Sequence, residues 1–123
     1  MRKPWNGQTA WFDEIIEYPD REGNTILDIW YVFDDPAAFF GIDWADMGYS
    51  SREDYDENCF EYLIIRYNPS KDTWEPRHMI ETENYIDDFP IDFDLTEEEI
   101  AEIDASIQSL KESGDLYSGK YRV

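Results

Sequence analysis

The side chains best suited to chemistry in this chain are one thiol, one imidazole and thirty carboxylates. Nucleophilic catalysis needs a Ser, Cys or Thr within reach of a base. The imidazole is His78 and the thiol is Cys59, and both stand among strand-forming neighbours. Cys59 reads as a small apolar residue at the start of a strand, and His78 as an ordinary side chain on an edge strand. Paired carboxylates about 5 to 9 Å apart can run acid–base chemistry, but among thirty acids such pairs arise by chance. Asp92, Asp94 and Thr96 occupy the first, third and fifth places of a possible calcium loop. Glu97 stands where that loop needs glycine, however, and Ile103 where it needs a bidentate glutamate. There is no glycine-rich phosphate loop and no zinc spacing. The expectation is a protein with no catalytic residue, metal, cofactor or small-molecule substrate.

What stands out is where the acids lie. Between Arg77 and Lys111 there is no Lys or Arg, while Glu81, Glu83, Asp87, Asp88, Asp92, Asp94, Glu97, Glu98, Glu99, Glu102 and Asp104 are all acidic. Helix-dipole complementarity accounts for Glu97, Glu98 and Glu99 in a first turn. It does not account for Glu98 and Glu102, a like-charge pair at i,i+4 that costs a few tenths of a kcal/mol. Tyr85, Phe89 and Phe93 are interleaved with these acids, and the run Glu53, Asp54, Tyr55, Asp56 and Glu57 has the same character. Acids that steer and aromatics that anchor make a protein-binding surface.

The elements that must carry these residues can be read in order. Ala10 to Tyr18 and Thr25 to Phe33 are rich in β-branched and aromatic residues and are joined by a turn-forming link, which predicts a hairpin. The first strand is expected at an edge. The second is apolar on both faces except at Asp28, and so is expected to be central and covered on both sides. From Asp34 to Glu57 the pattern predicts a loop-rich flap with two short helices. One is capped by Asp35 with Pro36 behind it and stops at Gly41, and the other opens at Ser50-Ser51 and runs to Glu57. Phe60 to Tyr67 and Thr73 to Ile80 predict a second hairpin around Asn68-Pro69-Ser70-Lys71-Asp72, with Pro76 marking an edge strand.

Thr96 and Glu99 form a capping-box pattern that starts a helix at Glu97, with Leu95 and Ile100 placed for a hydrophobic staple. Ile100, Ile103, Ile107 and Leu110 make one apolar stripe, and Gly114 ends it. The fold class is therefore α+β: about four antiparallel strands in two hairpins, packed by a C-terminal amphipathic helix, with the short-helix insertion between the hairpins. Leu116 to Val123 read equally as a frayed tail or an added edge strand.

A length of 123 residues fits one domain. Thirty acids against ten bases leave a formal charge of −20 at pH 7, well beyond what solubility requires. Such a chain repels DNA, RNA and anionic lipid, so neither nucleic acid nor a membrane is expected as a direct partner. A lone cysteine and the lack of an apolar signal core after Met1 predict a cytoplasmic location.

In size, charge and aromatic content the whole chain resembles the small acidic DNA-mimic inhibitors of phages and mobile elements, the anti-restriction and anti-CRISPR proteins. Those inhibitors share no common fold, so the resemblance implies a mode of action without assigning roles to residues. It implies a basic nucleic-acid-binding partner, a nuclease such as a Cas effector or restriction enzyme, met in the cytoplasm of a bacterial host. An immunity protein against a basic toxin nuclease would use the same face, and a general interaction module remains an alternative. On any of these readings, reversing Asp87, Asp88, Asp92 and Asp94 to Lys is expected to spare the fold and abolish binding.

Overall fold

The computed structural model describes residues 10–84 and 86–115. Five strands form one antiparallel sheet in sequence order: β1 (Ala10–Pro19), β2 (Thr25–Phe33), β3 (Cys59–Asn68), β4 (Thr73–Thr82) and β5 (Ile86–Pro90). Two short helices, α1 (Pro36–Phe40) and α2 (Arg52–Asn58), lie between β2 and β3, and α3 (Glu97–Ser113) follows β5. The expected α+β class, the two hairpins and the C-terminal helix are all present. The fifth strand falls in the acidic stretch, where Asp87 and Asp88 weaken any strand propensity. Pairing with β4 supplies what local preference lacks.

Local chemistry sets the boundaries. The Asp35 side chain accepts the Ala38 N–H to start α1, and Gly41 ends it at φ 70°, a left-handed conformation that costs glycine little. Ser51 caps α2. At α3 both halves of the capping box form: Thr96 Oγ1 accepts the Glu99 N–H at 3.1 Å, and the Glu99 carboxylate accepts the Thr96 N–H at 2.9 Å. Because Glu99 is fully buried, Thr96→Ala leaves donors unmatched at a closed helix end. It is expected to cost about 1 to 2 kcal/mol in urea unfolding, and a change below about 0.3 kcal/mol would show the box to be dispensable.

The helices pack on one sheet face. Ile103, Ile107 and Leu110 of α3 and Phe39 and Phe40 of α1 meet Leu27, Ile29, Tyr31 and Phe33 of β2 and Leu63, Ile65 and Tyr67 of β3. The Tyr31 hydroxyl lies 2.5 Å from Ser106 Oγ, and burial pushes the phenol up to about 12. Tyr55 of α2 joins Ala37, Cys59 and Ile80 in a satellite cluster, with Ile42, Trp44 and Tyr49 against it. The insertion between the hairpins is therefore anchored by its own small core, not a loose flap.

Three expectations change. β2 is not central and is not covered by helices on both faces: β3 is central, and the described helices all contribute to clusters on one face. On the other face, side chains of the sheet itself do the covering. Pro76 does not mark β4 as an edge, because β4 pairs with β5 from Arg77 to Glu81 and Pro76 lies just before that stretch. Finally, Ile100 is 40 % exposed, since the buried stripe narrows to Ile103, Ile107 and Leu110 once Glu99 turns inward to the cap. Leu116 to Val123 lie outside the described residues.

Candidate protein-binding surface

β5, the loop after it and α3 position most of the acids singled out by sequence. Strand alternation sends neighbouring β5 residues to opposite faces. Phe89 stands opposite His78, with ring centroids 4.9 Å apart, while Asp88 stands opposite Met79. Asp87 is exposed and accepts the Asp88 N–H at 2.9 Å. In the loop, Phe93 turns inward and meets Phe39 edge-on at 5.9 Å, which leaves Asp92 and Asp94 exposed on either side. On α3 the buried stripe forces Glu97, Glu98 and Glu102 outward. Asp87, Asp92, Asp94, Glu97, Glu98 and Glu102 make no ion pair among the described residues.

Asp88 is a correction to the expected binding set. Its Oδ1 lies 2.5 Å from Arg77 Nε and 3.5 Å from Arg66 Nη2, and Arg66 also holds the buried Asp28 through two hydrogen bonds of 3.0 Å. The result is an alternating chain of Asp28, Arg66, Asp88 and Arg77 across β2, β3, β5 and β4, on the sheet face without helices. Asp28 holds the Arg66 guanidinium more firmly protonated than usual. Tyr18 donates to Asp28 at 3.2 Å, and burial, with the Asp28 charge beside it, pushes the phenol up to about 12. Asp88 is therefore a structural counter-ion whose charge is already matched.

The α2 run divides in the same way. Glu53 and Glu57 are exposed and make no ion pair among the described residues. Asp56 pairs with Arg52 at 3.0 Å. Asp54 accepts from Ser50 N at 3.0 Å and from Asn58 Nδ2 at 2.8 Å, and the Ser50 backbone bond holds its carboxyl below the usual range. Tyr55 cannot belong to an exposed surface: it is fully buried and donates its hydroxyl to Glu61. Its register one turn inside α2 points it at the sheet. A cleft of about 520 Å³ lined by Asp54, Asn58, Glu83 and Asn84 sets α2 beside the turn between β4 and β5. The two acidic regions thus approach each other there. Tyr85 lies outside the described residues.

Two arrangements escaped the sequence reading. His78 is buried, not on an edge, with Nε2 2.6 Å from Glu61 Oε1 and its ring stacked on Phe40 at 3.7 Å. One Glu61 carboxylate therefore ties α2 to β4 through Tyr55 and His78. The signal was present: Glu61 occupies an inward position between Cys59 and Leu63. Cys59 is buried, and burial together with the Glu61 charge raises its thiol, the reverse of what a nucleophile requires. No group of acids, His and Cys able to hold a metal ion occurs among the described residues.

The second arrangement is a groove of about 620 Å³ between the β4–β5 edge and the start of α3. Trp74, Pro76, Pro90, Leu95 and Ile100 form its walls, with Glu75 and Asp94 at the rim. Among the described residues no helix is long and apolar enough to cross a membrane. No family model matches the chain, and no curated protein or solved structure does so either.

Proposed function

We propose that this protein is an acidic mimic of nucleic acid that occupies the DNA- or RNA-binding groove of a basic protein. The partner is a nuclease of the Cas-effector or restriction type, blocked in the cytoplasm of a bacterial cell. The observation that carries the reading is the set of exposed carboxylates left without internal cations. Glu97, Glu98, Glu102 and Asp104 span eight positions of α3, or about 12 Å at 1.5 Å per residue, which is roughly one charge per 3 Å. One strand of B-DNA carries a charge about every 3.4 Å. A groove built for phosphates would meet a similar linear density here. Ion pairing removes Asp88 and Asp56 from this display, but the exposed acids of β5, its following loop, α2 and α3 remain.

The test is capture and competition. The chain is immobilised, bound proteins from a bacterial lysate are identified by mass spectrometry, and each purified candidate is rebound in the presence of duplex DNA or RNA. The reading expects a nuclease whose binding is competed by nucleic acid and weakens about a hundredfold between 50 and 500 mM salt. A partner indifferent to both nucleic acid and salt would overturn it. A toxin nuclease bound at a site away from its nucleic-acid groove would favour an immunity protein.

A further inference from the structure

We infer that the groove between the β4–β5 edge and α3 is the seat of an arginine side chain, and the backbone around it, from the basic partner. This deepens the reading of the partner as basic and rests on it. A phosphate mimic needs carboxylates, and an apolar trough among them adds nothing to that role. Yet the trough is built from large side chains: Trp74 and Pro76 of β4, Pro90 ending β5, Leu95 before α3, and Ile100 on its first turn. Ile100 is 40 % exposed on a helix whose other stripe residues are buried, so core packing does not explain it.

The chemistry of the walls and rim selects the occupant. Trp74 is the ring type on which a guanidinium stacks best, and its indole N–H is fixed by Asp104 Oδ1 at 2.8 Å. Asp94 at the rim is exposed and makes no ion pair among the described residues, and Glu75 is only loosely held by Arg77 at 3.7 Å. An arginine laid here places its methylene stem on Ile100 and the prolines and its guanidinium against the carboxylates. Arginine suits the site better than lysine because its planar, weakly hydrated head loses less on leaving water. The volume exceeds a single side chain and so admits adjoining backbone.

The test is an NMR titration of the labelled protein with the peptide acetyl-Gly-Gly-Arg-Gly-Gly-amide and its uncharged citrulline counterpart. The arginine peptide is expected to shift the Trp74 indole N–H and the Asp94, Leu95 and Ile100 amides saturably, with the citrulline peptide about tenfold weaker. Ile100→Glu is the deciding variant, because it adds a carboxylate while destroying the apolar wall. The groove predicts about tenfold weaker peptide binding, whereas attraction by charge alone predicts equal or tighter binding. Tighter or unchanged binding, or shifts spread over Glu53, Glu98 and Glu102 without the groove, would overturn the inference. Failure here leaves a DNA-competed partner untouched, and loss of DNA competition leaves arginine binding in the groove untouched, so the two readings fail separately.

Discussion

Arg66→Met is expected to lower stability by about 3 kcal/mol and the melting temperature by about 10 °C, measured by urea and thermal unfolding. Arg66 holds Asp28 through two 3.0 Å hydrogen bonds and approaches Asp88 at 3.5 Å, while Asp28 itself is only 7 % exposed. Removing the guanidinium leaves a buried carboxylate with only the Tyr18 hydroxyl beside it and brings Asp28 and Asp88 into unrelieved repulsion. Methionine keeps the apolar stem over Ile64, so the loss reports the charge and not a cavity. Adding Asp28→Asn should restore about half of the loss, since a neutral amide carries a far smaller burial penalty than a carboxylate. A single-variant loss below about 0.5 kcal/mol would mean that solvent screens the network and that the sheet face is held by apolar contact alone.

Converting Asp87, Asp92, Asp94 and Glu98 to Lys together is expected to weaken partner binding by about a hundredfold, or about 3 kcal/mol, without loss of folding. All four are exposed and make no ion pair among the described residues, so no internal contact is broken. Placing Lys at position 98 also turns the like-charge pair with Glu102 into an attractive one, worth a few tenths of a kcal/mol. Asp88 must be left out. Asp88→Lys would set a third cation between Arg66 and Arg77 and is expected to unfold β5 from β4, so a loss of binding in that variant would report a damaged sheet. Circular dichroism and thermal unfolding separate the two cases. Native-like folding with native affinity in the four-residue variant would move the binding surface elsewhere.

What the chain encodes locally was legible from its residues. The capping box at Thr96, the helix stops at Gly41 and Gly114, and the N-caps Asp35 and Ser51 all rest on contacts within a few positions. The two hairpins follow from period-two alternation and turn residues, and the acidity is simply counted. β5 was hidden because its pairing partner lies across a turn and its own composition argues against a strand. Ile100 was assigned to the core because spacing alone cannot tell that Glu99 takes the inward position.

Which acids are free for a partner was decided only by the tertiary structure. Asp87 and Asp88 are adjacent and chemically identical, yet one faces solvent and the other is locked between two arginines. Alternation along β5 sends them to opposite faces, and Arg66 reaches Asp88 from 22 positions away and Asp28 from 38. Total charge is a property of composition, whereas the charge a surface can offer is what remains after long-range pairing. That remainder exists only once the sheet has brought β2, β3, β4 and β5 side by side.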